Sequence, residues 1–170
     1  KTGFSALIIA SAHGHRDAAA FLIDAGADIN AVQEDNRVTA LMYAAASNHV
    51  DVLEMLLEKG ADIHFEHSNS GTALLEASTG AAPGAMKALL EAGSKFDFYD
   101  ADGVSPLMAV ASQGNMEGQN LIIEYLQRDL TEEQLKEHIN KASFSGGTSV
   151  MFAAAGGHTN GTRALIDLGA

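Results

Sequence analysis

The sequence contains no cysteine and no tryptophan, and only two of its 170 residues are proline. Without cysteine, the chain forms neither a disulfide nor a thiolate metal site, and we expect an intracellular location, cytoplasmic or nuclear. Aromatic residues make up 6% of the chain, although hydrophobic residues reach 46%. The core is therefore built from small and aliphatic side chains. Alanine runs at 18–20 and 44–46 predict helices that approach each other closely.

Basic residues are also scarce, because 10 Lys and Arg stand against 22 Asp and Glu, for a net charge of −12. Nucleic acids and anionic lipids are bound by Lys and Arg, so the composition predicts neither as a partner. It favours a protein partner with a basic or apolar segment. No apolar run approaches the roughly 18 residues that span a bilayer, so direct membrane insertion is not expected. Because the first residue is Lys rather than Met, we expect an excerpt of a longer chain.

A short pattern recurs along the chain with a period near 33 residues. Its apolar anchors lie at 7, 41, 74, 107 and 150, so that successive spacings are 34, 33, 33 and 43. A hydroxyl residue two positions before each anchor is suited to cap the start of a helix. A fixed period of this length indicates units that each pack on the next. The five hydroxyl residues are Ser5, Thr39, Thr72, Ser105 and Thr148.

Two further positions of each unit predict where its helices end. Nineteen residues after the anchor, four of five units have glycine, which closes a helix in the left-handed conformation. A β-like finger, such as 27–30, should follow. Seven residues after the anchor a break between two helices is expected, and in three units a histidine follows it. We expect those histidines, His15, His49 and His158, to hydrogen-bond between neighbouring loops.

The stretches 14–15, 22–30 and 56–63, together with the period, resemble the ankyrin repeat family. The resemblance implies an all-α fold, an ankyrin-type α-solenoid of helix-turn-helix pairs linked by short β-like fingers. We expect a single ankyrin repeat domain over 1–170. Its five repeats are placed at about 1–32, 33–66, 67–99, 100–126 and 143–170, the first and last being incomplete.

Ten extra residues separate the fourth and fifth anchors. Leu126 replaces the expected glycine there, so the preceding helix can continue past it. Thr131 and Gln134 form a capping box, and Leu130 and Leu135 fit a hydrophobic staple. We therefore predict an inserted helix at about 127–142. An excursion packed on the stack is favoured over a partner-docking element.

No arrangement of residues indicates catalysis or a bound cofactor, and the chain is not expected to be an enzyme. His64 and His67 lie three apart, but no third ligand is placed to complete a metal shell. The acidic stretch 97–103 fails as a calcium loop, because Ala109 stands where a bidentate Glu is needed. The stretches 147–151 and 80–84 lack the second Gly of a nucleophile elbow and the Lys of a phosphate-binding loop.

The resemblance implies that fingers and first helices form a concave surface for a protein partner. Exposed aromatics beside carboxylates suit a peptide with apolar and basic side chains. The central group that we favour is Phe65, Phe98, Tyr99, Asp100 and Asp102. Alternatively, Phe65 and Phe98 pack between fingers and only Tyr99 is exposed. Further partner-binding candidates are Asp35, Asn36, Ser68, Asn69, Val104 and Gln113, and Phe4 also matches a finger tip.

Asn30 matches a position that resembles ankyrin asparagines hydroxylated by an oxygen-sensing dioxygenase. The alternative is that Asn30 only stabilises its turn. At the level of function, we expect an interaction scaffold. Two rival interpretations are a regulatory arm of a larger enzyme or channel, and a permanent structural subunit of an assembly. Because apolar residues such as Phe21 and Met151 occur in the terminal repeats, further repeats or a flanking domain are expected to continue the stack.

Overall fold

The computed structural model describes residues 5–170, which form eleven α-helices. The chain divides into two compact units, Lys1–Ser94 (unit 1) and Lys95–Ala170 (unit 2). The helices of unit 1 are α1 (Ala6–Ala12), α2 (Arg16–Asp24), α3 (Ala40–Ala46), α4 (Val50–Glu58), α5 (Ala73–Thr79) and α6 (Pro83–Glu91). Those of unit 2 are α7 (Pro106–Gln113), α8 (Met116–Asp129), α9 (Glu132–Asn140), α10 (Ser149–Ala155) and α11 (Thr159–Asp167).

The first helix of each pair begins where the hydroxyl residues predict. The side chains of Ser5, Thr39, Thr72 and Ser105 each accept a hydrogen bond from the backbone N–H three residues on, at 3.2–3.5 Å. These bonds satisfy N–H groups that have no partner within the helix. Thr148 is the exception: it occupies the N-cap of α10 but makes no such bond.

The loop inside each helical pair is tight in all five cases. Its residue seven positions after the anchor has φ between 51° and 73°, whether that residue is glycine, Asn48 or Ala81. A left-handed residue reverses the chain within a few atoms, so the second helix starts at once beside the first. The predicted break between the helices is thus confirmed.

Unit 1 is held together by the contact of like helices. The first helices pack in the order α1, α3, α5, and each also packs on its own second helix. Their anchors, Leu7, Leu41 and Leu74, are at most 2% exposed. Fully burying a leucine side chain contributes about 1.5–3 kcal/mol, so the anchors form the centre of the core. Alanines such as Ala44 and Ala77 are fully buried between them, which lets the helices approach closely.

Unit 2 contains the inserted segment. α8 has 14 residues and ends at Asp129, so 127–129 extend that helix and do not belong to the inserted one, as we had predicted. The inserted helix is α9, and its predicted capping box between Thr131 and Gln134 is present. α9 packs on α8 and α10 through Leu135 and Ile139, which are buried on one face.

The fingers are turns and contain little β-structure. Within residues 5–170, the β-pairing is limited to one isolated bridge between Val32 and Thr39. In the fingers of unit 1, the carboxylates of Asp28 and Asp62 accept the N–H of the residue two positions on. The aspartate of each finger therefore fixes its own turn, which makes strand pairing unnecessary.

Candidate functional site

Two of the three histidines that follow the tight loops connect neighbouring repeats. His49 Nε2 donates to the carbonyl oxygen of Ala12 at 3.2 Å, and His158 Nε2 donates to that of Ser112 at 3.0 Å. The predicted role of these histidines is thus confirmed for His49 and His158. The ring of His15 makes no hydrogen bond to any described residue and stacks on His13.

A cavity of about 290 Å³ lies in unit 1 between two fingers and the first helices α3 and α5. We call it the finger pocket. Its floor is apolar, because Val38 and Met42 are almost fully buried. Its rim is polar. The residues lining it are Asn36, Val38, Met42, Tyr43, Ala46, His67, Ser68, Asn69 and Glu76.

The fingers on the rim are joined to each other by hydrogen bonds. The carbonyl oxygen of Asn36 accepts both the backbone N–H and the hydroxyl of Ser68, at 3.0 and 2.9 Å. The side chain of Asn36 accepts the N–H of Val38, which holds the first finger in its turn. The rim therefore has a fixed width before any partner is bound.

The wall of the finger pocket contains a histidine–carboxylate pair. His67 Nδ1 accepts the backbone N–H of Asn69 at 3.1 Å, so the ring proton is on Nε2, which donates to Glu76 Oε1 at 3.0 Å. A Cβ on Gly71 would overlap the His67 ring, so a glycine is needed there. Glu76 remains 29% exposed. A positioned carboxylate thus stands beside the apolar floor.

In unit 2, the inserted helix brings a second cluster together around Tyr99. A hydrogen bond of 3.2 Å joins Tyr99 Oη to His138 Nδ1, and Lys141 Nζ lies 3.7 Å from the centroid of the tyrosine ring. Asp97 and Glu137 complete the lining of a cavity of about 220 Å³. Tyr99 is therefore a half-buried support for α9, and our expectation of an exposed aromatic at this position is wrong.

The same cluster shifts two titrations. Burial, with smaller contributions from Asp97 and Glu137, raises the pKa of Tyr99 to about 12. Burial also lowers the pKa of His138, and Lys141 lowers it further while Asp97 opposes the shift. Both groups are consequently neutral near pH 7. His138 Nε2 is buried and has no hydrogen-bond partner within the described part of the chain.

The structure divides the predicted partner-binding residues between the two units. In unit 1, Asn36, Ser68 and Asn69 come together on the rim of the finger pocket, and Asp35 is exposed next to them in sequence. Phe65 is half-buried, with the Arg37 guanidinium 5.4 Å from its ring centroid.

In unit 2, the predicted residues have varied surroundings. Asp100 is half-buried, and its Oδ1 accepts the N–H groups of Asp102 and Val104, so this carboxylate holds its own turn. Phe98 and Val104 are half-buried. Asp102 and Gln113 are exposed, Gln113 as the last residue of α7. Phe4 lies outside the described residues.

Sequence reasoning missed several residues of the finger pocket. Met42, Tyr43 and Glu76 belong to first helices and gave no signal beyond helical periodicity. His67 was considered only as a metal ligand. Among residues 5–170, no group of three or more His, Asp or Glu could hold a metal ion. A His and a Glu nine residues apart meet only because the helix start folds one back over the other.

Asn30 has a structural role between repeats. Its side-chain oxygen accepts the backbone N–H of Asp62 at 2.9 Å and so links the first finger to the second. Hydroxylation of Asn30 stays a prediction. Within the described residues, no helix is both long and apolar enough to cross a membrane.

Stacked pairs of short helices with tight left-handed loops define an all-α repeat protein. A family model of ankyrin repeats (3 copies) matches residues 1–67. Helical pairs with the same caps and loops continue to residue 167, so the chain is an ankyrin repeat protein with an ankyrin-type solenoid fold. No curated protein matches the chain. Ankyrin repeats are in general protein–protein interaction modules and are typically not catalytic.

Proposed function

We propose that this chain binds a partner protein, and that the finger pocket of unit 1 takes one aliphatic side chain of the partner with a lysine or arginine next to it. The observation that carries the proposal is the position of the Glu76 carboxylate beside the apolar floor of Val38 and Met42. An aliphatic side chain gains by leaving water for that floor. A neighbouring cation gains from the carboxylate.

The size of the finger pocket supports a side chain as its occupant. At about 290 Å³ the pocket lies at the small end of the range for ligand sites, about 300–1,000 Å³, and it is open to solvent. The net charge of −12 favours a basic segment over an acidic one, because it attracts basic chains during diffusional encounter. Asp35 and Glu34, both exposed before the first finger of the rim, add to this attraction.

Panning a random peptide library on the chain tests the proposal. Enriched peptides should contain Leu, Ile or Met next to Lys or Arg. They should bind Glu76→Gln about tenfold more weakly, as expected for loss of roughly 1.4 kcal/mol. Ala46→Met places a longer side chain in the pocket and should weaken binding by at least as much.

Matched controls are available outside the finger pocket. Glu54→Gln removes an exposed charge from α4, and Ala25→Met enlarges an exposed alanine after α2. Both should bind as the unaltered chain does. Enriched peptides that bind all four variants equally, or that lack the aliphatic–basic pair, would contradict the proposal.

The finger residues of unit 2 are a second candidate contact, because Asp102 is exposed beside the turn that Asp100 holds. Asp102→Lys tests it more cleanly than Tyr99→Ala, which would also remove the support of α9. The same peptides should bind Asp102→Lys less tightly if this surface contributes. An intracellular location, a place in a larger enzyme, channel or assembly, and continuation of the stack by further repeats or a flanking domain stay predictions.

A further inference from the structure

The last helical pair leaves open a surface that the same positions of earlier repeats bury. Met151 is 58% exposed, whereas its equivalents Ile8, Met42 and Met108 are at most 1% exposed. Ile166 is 55% exposed, whereas its equivalent Ile123 is 7% exposed. In unit 2, α10 packs on α7 and so covers Met108 with the next repeat.

We call this surface of α10 and α11 the end face. A groove of about 420 Å³ runs along it, lined by Ala154, Gly157, Thr159, Thr162, Arg163 and Ile166. The groove is mostly apolar. It has the composition of the repeat-to-repeat contacts within each unit, where Ala45 and Ala111, the equivalents of Ala154, are fully buried.

The end face also contains an empty seat for a histidine. The His49 ring lies so close over Gly14 that a Cβ there would be 2.7 Å from Nδ1, and the His158 ring would overlap a Cβ on Gly114. Gly157 is the same position of the last repeat, and nothing lies within 4 Å of its Cβ site. The carbonyl oxygen of Ala155 stands where those of Ala12 and Ser112 accept the two histidines.

The residue at this seat varies with the residue that occupies it. Where the seat is Gly14 or Gly114, the next repeat supplies a histidine. Where it is Asn48, the next repeat has Ala82, and the Asn48 side chain itself accepts the N–H of Ala85 at 2.9 Å. The glycine at position 157 therefore predicts an occupant that carries a histidine.

The chain itself carries a surface of that kind at its first helical pair. His15, whose ring has no hydrogen bond among the described residues, is equivalent to His49 and His158. Phe21 is 72% exposed, whereas its equivalent Met55 is 3% exposed, and Ala18 is exposed, whereas Val52 is fully buried. Positions exposed in the first repeat and buried in the second face the preceding repeat. We call this surface, with His15, Ala18 and Phe21, the start face.

We propose that copies of this chain associate end to end, with the start face of one copy on the end face of another and His15 seated over Gly157. The occupant is a second copy because the chain offers both halves of the contact, including the one histidine that its own fold leaves unseated. The contact is heterologous, so a copy that has bound one neighbour still has a free face for the next.

Sedimentation velocity of the whole chain up to about 1 mM tests the proposal, in roughly 0.15 M salt so that the repulsion between chains of charge −12 is screened. Mass should rise with concentration. Gly157→Asn should weaken association at least about tenfold, because the side chain takes the place of the histidine ring. The fold tolerates asparagine at this position, since Asn48 adopts φ 57° in the equivalent loop.

Two controls match these changes. Gly146→Asn places the same residue at φ 85°, also with nothing within 4 Å, but outside both faces, and should associate like the unaltered chain. His15→Ala should weaken association as much as Gly157→Asn does, whereas His64→Ala, at an exposed finger histidine, should not. If Gly157→Asn loses helical circular dichroism, Met151→Glu replaces it.

A mixture of the two face variants gives the sharpest result. The Gly157→Asn chain keeps a start face and the His15→Ala chain keeps an end face, so an equimolar mixture should form heterodimers and nothing larger. A monomeric unaltered chain at about 1 mM would overturn the proposal. So would unchanged association of Gly157→Asn, or a mixture that contains no heterodimer.

Discussion

The ring of His158 lies directly over Gly114, and a Cβ on that glycine would overlap it. Gly114 also has φ 66°, which disfavours any residue with a side chain. Two separate physical reasons thus require glycine at this position. Gly157 has φ 73° but open space above it, so it is subject to only one of them.

A comparison of two alanine substitutions should separate the two effects. Gly157→Ala should lower the free energy of unfolding by about 1 kcal/mol through backbone strain alone. Gly114→Ala should cost roughly 2–4 kcal/mol, because the His158 ring must also move. Urea unfolding below the concentration of any association measures both. Equal costs would show that the ring does not press on the glycine, and in a His158→Ala background the two costs should become equal.

Tyr99 should titrate later than an ordinary tyrosine. Its pKa is raised to about 12, so the folded state keeps the phenol proton where the unfolded chain, with a pKa near 10, loses it. The resulting stability is complete below about pH 10 and is lost as pH rises through about 12. Alkaline difference absorbance of the unaltered chain and of Tyr99→Phe measures this titration. A missing component centred near pH 10 would contradict the expectation.

Acid should weaken the attachment of α9. The pKa of His138 is lowered, chiefly by burial, so the folded state resists the proton that the unfolded chain accepts near pH 6.5. The stability it contributes is present above pH 6.5 and is lost as pH falls through the lower folded value. Hydrogen exchange of the α9 amides at pH 7.5 and pH 5 measures the effect. In His138→Gln the acid-induced increase in exchange should shrink, and an unchanged increase would assign it to other groups.

Truncation of Ile139 should show that α9 is part of the fold and not an appended segment. Ile139 is fully buried on the face that α9 turns inward, so Ile139→Ala should lower the free energy of unfolding by about 2–5 kcal/mol. Ile166→Ala is the matched control, because that side chain is 55% exposed and its loss should cost less than about 1 kcal/mol. Similar small costs for both would mean that α9 is detached in solution.

Most of the fold could be predicted from local signals. Ser5, Thr39 and Ser105 cap helices where the sequence placed them, and Thr131 and Gln134 form their capping box, because these bonds join residues only three apart. The inserted helix was predicted too long, since no residue near Asp129 marks where α8 stops. The bond of Leu130 N–H to the Leu126 carbonyl still continues α8 there.

The candidate site was predicted only in part. Asn36, Ser68 and Asn69 were expected in fingers, and they do line one pocket. Tyr99 was expected to be exposed, but His138, 39 residues away in sequence, takes its hydroxyl. A side chain's exposure depends on whatever the rest of the chain brings beside it, and neither its own type nor its repeat position contains that information.

The sequence alone determined the helical pairs, their order and the family, because caps, anchors and left-handed loops act over a few residues and recur at a fixed period. The tertiary structure alone decided which side chains meet across that period. His67 with Glu76 at the finger pocket, and His158 over Gly114, depend on how closely neighbouring helices and fingers approach, and packing distances of this kind are set only when the repeats are stacked.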